Sequence, residues 1–120
     1  MIVVIFEVTP HENKEERYFD IASQLRQTLE QMDGFISVER FQSLTRPGTF
    51  LSMSYWRDEE SVRRWRCMPE HRAGQIEGRA SVFADYRIRV ASVVRDYTMT
   101  QRAAAPHDAN QAFHIKNANL

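Results

Sequence analysis

The spacing of hydrophobic positions predicts strands at the start and in the middle of the chain. Residues 2–8 are apolar on both faces apart from Glu7, which predicts a central strand buried on two sides. Residues 35–44 and 49–57 alternate between apolar and polar side chains, and the Pro47-Gly48 dipeptide lies between them. This pattern predicts two strands joined as a hairpin.

A helix is predicted between the first strand and this hairpin. Its apolar positions recur every three to four residues from residue 18 to residue 32, with charged side chains opposite. Asn13 followed three positions later by Glu16 predicts a capping box at its start. Gly34 is suited to the turn that ends it.

The second helical region is predicted to be split by a proline. Asp58 can cap its first part, and Pro69 suits the first turn of a second part over residues 69–80. Residues 82–97 form a long final strand. The order βαββαβ predicts an α+β fold of the ferredoxin-like type with a split second helix.

The chain divides by composition into a domain and an extension. Residues 1–97 carry the predicted elements, and residues 98–120 are rich in Ala, Asn, Gln and His without strong periodicity. We expect the 98–120 extension to be ordered by packing on the partner subunit of a dimer.

A βαββαβ sheet has helices on one face only, so its open face needs a cover. A second copy of the same sheet supplies one, and we expect a homodimer packed sheet to sheet. The alternative is a monomer with a polar open face, which the charges of Glu39, Arg40, Arg87 and Arg89 allow.

Charge and cysteine content narrow the class of partner. The formal net charge is zero, which gives no electrostatic case for nucleic acid or a membrane surface. Cys67 is the only cysteine, so neither an intrachain disulfide nor a cysteine metal cluster is possible, as fits a cytoplasmic protein. The N-terminal apolar run is too short for a membrane span and reads as a strand.

Two linked motifs identify a family. The pattern W-x-D-E-E-S-x-x-x-W, followed by E-H-R-x-x-Q, occupies residues 56–75. With the element order, it resembles the antibiotic biosynthesis monooxygenase superfamily over residues 1–97. The resemblance implies a dimeric α+β barrel. Members include cofactor-independent monooxygenases that oxidise aromatic polyketides, haem-degrading enzymes, and small stress or signal-molecule proteins.

The cofactor-independent branch implies roles for residues of this segment. Trp65 and Tyr55 would form apolar walls around a hydroxylated aromatic or quinol substrate, and His71 would accept its proton. Gln75 or Arg79 would hold the developing oxyanion. No metal and no cofactor is expected.

Haem binding or degradation is the alternative, and a non-catalytic ligand-binding protein is a third. Trp65 matches the haem-degrading branch, but Glu7 stands where that branch has asparagine, and Gln75 stands where it has the axial histidine. Glu7 has two readings, a salt bridge with Arg40 or Arg89 and a ligand-facing acid.

His71 also has two readings. It shares a helix face with Gln75 and Gly78, opposite an apolar stripe of alanines and Ile76. If that stripe packs on the sheet, His71 faces solvent; otherwise it faces a cavity.

Overall fold

The computed structural model describes residues 1–115. Four strands and four α-helices follow one another in the order βαββααβα. The bounds are β1 Ile2–Pro10, α1 Glu15–Glu30, β2 Phe35–Gln42, β3 Phe50–Trp56, α2 Glu59–Arg66, α3 Pro69–Glu77, β4 Phe83–Ser92 and α4 His107–Ala112. The predicted ferredoxin-like α+β fold with a split second helix is confirmed.

The strands form one antiparallel sheet in the order β2-β3-β1-β4. Phe6 pairs with Ser52 on one side and Ile88 on the other, and its neighbour Glu7 pairs with Leu51 and Arg87. Because side chains alternate between faces along a strand, these two rows lie on opposite faces of the sheet. The Phe6 row faces the helices and the Glu7 row lies on the open face.

The helix boundaries follow from local capping. Asp58 caps α2 by accepting a hydrogen bond from the Ser61 backbone N–H at 2.8 Å. Pro69 occupies the first turn of α3, where its missing N–H is no loss. The predicted capping box at α1 is wrong: Asn13 has φ 69°, and the cap residue Lys14 makes no side-chain cap. No helix within residues 1–115 is long and apolar enough to cross a membrane.

A π-helical turn, Gly78–Val82, joins α3 to β4. A Cβ at Gly78 would lie 2.3 Å from Cε2 of Phe83, so the ring of Phe83 occupies the space of the missing side chain. Gly74 is similarly approached by Ile21 of α1, at 3.2 Å. Both glycines therefore make room for protein side chains, and this contact sets how closely α3 approaches α1 and β4.

Two clusters of buried side chains lie between the helices and the sheet. One contains Val8, Tyr18, Phe50 and Val82. The other is formed by Trp56, Val62 and Trp65. They pack at opposite ends of the strands, as Trp56 and Phe50 end β3, and this leaves the middle of the helix-facing surface for a cavity.

The described part of the extension passes through bends and turns before the short helix α4. Arg102 donates a hydrogen bond to Oδ1 of Asn110 at 2.9 Å, and its guanidinium lies over the ring of Tyr97. Met99 and Phe113 expose 82% and 71% of their surface. The expected packing of this extension on a partner subunit stays a prediction, and its residues 116–120 lie outside the described part.

Candidate active site

A cavity of about 590 Å³ lies between the helices and the sheet. Its floor includes Val4 and Phe6 of β1 and Ser52 and Ser54 of β3, and its roof comes from α1, α2 and α3. Its volume is that of a site for a small organic molecule, ~300–1,000 Å³. The sheet and the split helix together therefore enclose a ligand-sized space.

Trp65 and His71 both line this cavity. The imidazole of His71 stacks on the indole of Trp65, with ring centroids 4.6 Å apart and planes inclined by 20°. Trp65 is only 8% exposed and also packs on Trp56. The kink at Pro69 brings α3 back over α2, so that residues six positions apart stack.

His71 faces inwards because the apolar stripe of α3 faces outwards. Ala73, Ile76 and Ala80, which form this stripe, are exposed, and Ile76 borders the cavity only at its edge. His71 and Gln75 are half-buried at the cavity. The two readings left open by the sequence are thereby decided in favour of the cavity.

The electrostatics of the site keep His71 neutral. Burial lowers the pKa of His71 to about 4, the positive charge of Arg72 adds to this, and the hydrogen bond to Trp65 opposes it. Nδ1 lies 3.2 Å from the carbonyl oxygen of Trp65. A carbonyl only accepts, so Nδ1 carries the proton of the neutral ring and Nε2 keeps its lone pair. At neutral pH, His71 is thus a proton acceptor through Nε2.

Gln75 places an unpaired polar atom at the cavity. Its Oε1 is buried and has no hydrogen-bond partner within residues 1–115. An unsatisfied buried acceptor costs about 1–3 kcal/mol, so it marks a position where a donor is expected. A donor such as the hydroxyl group of a ligand would satisfy it.

Arg79 lies in the π-helical turn, where the cavity meets solvent. Its Nη1 donates a hydrogen bond to the hydroxyl of Tyr86 at 2.7 Å, and its guanidinium lies 5.8 Å from the centroid of that ring. Tyr86 therefore holds a positive charge at the cavity without neutralising it.

Glu7 is not at the cavity. It lies on the open face, in a separate polar recess of about 130 Å³, and its carboxylate accepts hydrogen bonds from Arg46 and Arg89. Burial raises the pKa of Glu7, but the two arginines outweigh burial and leave the pKa lowered. The salt-bridge reading with Arg89 is the one observed, whereas Arg40 lies on the other face.

Tyr55 is also on the open face, opposite Val3 of β1 and Ser37 of β2. Its neighbours Ser54 and Trp56 line the cavity. A strand presents alternate residues to each face, so Tyr55 cannot share their side. It is therefore not the cavity wall that the sequence predicted.

Tyr18, Arg40 and Tyr86 are among the cavity residues that the sequence analysis did not predict. Arg40 donates from Nε to the hydroxyl of Tyr18 at 3.0 Å, and its guanidinium lies 5.3 Å from the centroid of that ring. The register of β2 against β3, with Arg40 opposite Ser52, was the signal that could have found it.

The profile of the antibiotic biosynthesis monooxygenases matches residues 1–76. The chain belongs to this family. A protein of Bacillus subtilis, YqjZ, is 30% identical over 92 residues, which cover 77% of this chain and 78% of YqjZ. The jasmonate monooxygenase ABM of Pyricularia oryzae is 46% identical over 93 residues, covering 78% of this chain and 43% of that protein. This chain thus matches less than half of the length of the Pyricularia relative.

Solved structures share the fold. Rv0793 from Mycobacterium tuberculosis superposes with a TM-score of 0.72 at 12% identity, covering 81% of this chain and 98% of that one. SnoaB, a cofactor-independent oxygenase from Streptomyces nogalater, superposes with a TM-score of 0.68 at 12% identity, covering 82% and 96%. At such identities the likeness concerns the fold.

The residues present do not fit a haem site of the haem-degrading type. Gln75 replaces the axial histidine, and Glu7 lies on the face away from the cavity. His71 is stacked on Trp65 and hydrogen-bonded through Nδ1. These contacts do not involve Nε2 of His71, so Gln75 and Glu7 are the residues that disagree with such a haem site.

Proposed function

We propose that the protein is a cofactor-independent monooxygenase that oxidises a hydroxylated aromatic or quinol with molecular oxygen. The observation that carries the proposal is the geometry of His71, which stacks on Trp65 at the wall of the cavity and has Nδ1 at the Trp65 carbonyl, so that Nε2 is its basic nitrogen. Membership of the family and the apolar interior of the cavity support it.

His71 acts in the first step as the general base. Nε2 takes a proton from the hydroxyl or activated CH₂ group of the substrate, and the resulting anion gives one electron to O₂. Recombination of the two radicals forms a C–O bond and a peroxide. The protonated His71 returns its proton to the peroxide, and loss of water from the resulting hydroperoxide turns the CH₂ group, or the ring C–H that was attacked, into a carbonyl. One oxygen atom thus enters the product and the other leaves as water.

The other cavity residues hold the substrate and its charge. Trp65 and Phe6 provide apolar surface, which excludes water from the anion. Oε1 of Gln75 accepts a hydrogen bond from a substrate hydroxyl, and the guanidinium of Arg79 stabilises the negative charge that develops.

Oxygen uptake with a panel of anthrones, catechols and quinols tests the proposal. We expect turnover by protein freed of metals and haem, with His71→Gln strongly impaired and Tyr55→Phe, which changes the open face, unimpaired. Equal rates for wild type and His71→Gln on every oxidised compound would refute the role of His71.

Jasmonate is a second candidate substrate, favoured by the 46% identity with the jasmonate monooxygenase of Pyricularia oryzae. It belongs in the same panel. Uptake with jasmonate alone would keep the monooxygenase assignment and replace the aromatic substrate class.

Two alternatives are separated by simple binding experiments. Titration with haem, followed at the Soret band, is expected to give no saturable change at one haem per subunit; a saturable change would favour the haem-binding alternative. A ligand that binds in the cavity without any oxygen uptake would favour a non-catalytic binding protein.

We also propose that the protein is a homodimer through the open face of the sheet. Ile5 and Met53 lie at its centre, with Glu7 and Arg89 paired beside them. The open face of a second copy would bury these apolar side chains and place its own Glu7 and Arg89 pair beside them. Sedimentation is expected to give a dimer for wild type and a monomer for Met53→Lys; a monomeric wild type would exclude the assembly.

A further inference from the structure

The charges around the cavity point to the chemical class of its ligand. Five arginines line it, and no Asp or Glu among the described residues does. All five are exposed, whereas the interior between them is largely apolar. They are Arg26, Arg40, Arg66, Arg72 and Arg79. Positive charge therefore surrounds the mouth of an apolar space.

Ion pairing leaves most of this charge uncompensated. Arg26 pairs with Glu30 at 2.8 Å. Within residues 1–115, Arg40 and Arg79 have no carboxylate at ion-pair distance. Each is held instead by a phenol, Tyr18 for Arg40 and Tyr86 for Arg79. A phenol hydroxyl fixes a guanidinium in place and leaves its charge and its remaining N–H groups for an anion.

The two arginines reach the cavity from different elements. Arg40 extends from the edge strand β2, and Arg79 from the turn before β4. The rings that hold them are linked through Phe83, whose centroid is 6.0 Å from those of both Tyr18 and Tyr86. The same aromatic wall thus carries both guanidinium groups.

We infer that the cavity selects an amphipathic organic anion, whose apolar body fills the interior and whose carboxylate or similar group is bound by Arg40 and Arg79. This inference names a substrate class for the proposed monooxygenase. It rests on that proposed function only where the bound anion is also said to be turned over. Arg40 and Arg79 are then specificity-determining residues. A neutral compound of the same shape binds more weakly because it offers the two guanidinium groups no charged acceptor.

Two fluorescent probes with the same rings test the inference without catalysis. 1-Anilinonaphthalene-8-sulfonate carries a negative charge, and N-phenyl-1-naphthylamine lacks it. We expect the anionic probe to bind wild type about tenfold or more tightly than the neutral one, the scale of a hydrogen bond to a charged group. Arg40→Met and Arg79→Met should each weaken the anionic probe about tenfold and leave the neutral probe unchanged, which also reports an intact cavity.

Arg26→Met is the matched control, since Arg26 lies at the same mouth but is already paired. It should leave both affinities within about twofold, as for an exposed ion pair. Equal affinity of wild type for the two probes would overturn the inference, as would losses for Arg26→Met as large as those for Arg40→Met. Absence of oxygen uptake with every compound of the panel would refute the proposed oxygenase activity, whereas the preference for the anionic probe would be unaffected.

Discussion

The imidazole of His71 lies against the indole of Trp65 with a centroid distance of 4.6 Å, while its Nδ1 is 3.2 Å from the carbonyl oxygen of the same residue. Trp65 thus orients the histidine twice, through its ring and through its backbone. The stacking fixes the plane of the imidazole and the hydrogen bond fixes its tautomer. The tautomer leaves the lone pair of the neutral ring on Nε2, and the ring plane sets its direction.

Replacement of His71 tests its role as base. His71→Gln keeps a polar side chain but removes the basic nitrogen, so kcat should fall about 100-fold or more, the usual contribution of general base catalysis. KM should change little, because Gln75 and the apolar walls remain. Steady-state oxygen uptake measures both. A fall in kcat/KM through KM alone would assign His71 to binding instead.

The lowered pKa of His71 predicts how stability depends on pH. Folded His71 has a pKa of about 4 and the unfolded residue about 6.5. Between these values the unfolded chain takes up a proton that the folded chain does not. The free energy of unfolding therefore falls as pH decreases from 6.5 to 4, by on the order of 3 kcal/mol from this group.

Urea unfolding of wild type and His71→Gln at several pH values between 7 and 4 isolates this contribution, because other titrating groups are common to both. The variant should lose less stability on acidification. Parallel curves for the two proteins would mean that His71 is protonated as readily in the folded state as in the unfolded one.

Gln75 is expected to trade stability for ligand binding. Gln75→Leu removes a buried acceptor that has no partner among the described residues. The free energy of unfolding of the unliganded protein should therefore rise by about 1–3 kcal/mol. The same change should raise KM, since a substrate hydroxyl loses its acceptor. Thermal melts and oxygen uptake measure the two effects. A less stable variant would indicate that Oε1 is already satisfied in solution.

Gly78 is expected to tolerate no side chain. Gly78→Ala places a methyl group against the ring of Phe83, and overpacking of this kind costs about 1–3 kcal/mol. The helix propensity of alanine offsets up to about 1 kcal/mol of this. Gly74→Ala is the graded control, because its nearest neighbour, a methyl group of Ile21, is 3.2 Å away. Gly78→Ala should melt below Gly74→Ala; the reverse order would contradict the packing described.

Much of the fold followed from the sequence because its signals are local. Pro69 predicted the break between α2 and α3, and hydrophobic periodicity predicted four strands in the observed order. The π-helical turn before Phe83 was not predicted, since its i,i+5 bonds carry no distinct sequence pattern. It occupies the end of the helix predicted over residues 69–80 and only the first residue of the strand predicted over residues 82–97, which itself ends at Ser92.

The site was predicted less well because the alternation of side chains between the two faces of a strand was not applied to every strand residue. Glu39 and Arg40 were grouped as charges on one open face, although adjacent residues of a strand point to opposite sides. By the same rule, Tyr55 lies on the open face of the sheet while its neighbour Trp56 lies on the face of the cavity. Helical periodicity correctly predicted that His71 and Gln75 lie on one face of α3. Whether that face points to the cavity depends on the packing of α1 against α3, a tertiary contact that the sequence pattern does not show.

Oxygen uptake with labelled O₂ tests the central claim most directly, namely that the cavity beneath the split helix oxidises a substrate with His71 as base. We predict that wild-type protein, freed of metals and haem, places one labelled oxygen atom in each product molecule. Tyr55→Phe should do so at the wild-type rate and His71→Gln about 100-fold more slowly. Unlabelled product, or label incorporated by His71→Gln at the wild-type rate, would contradict the claim.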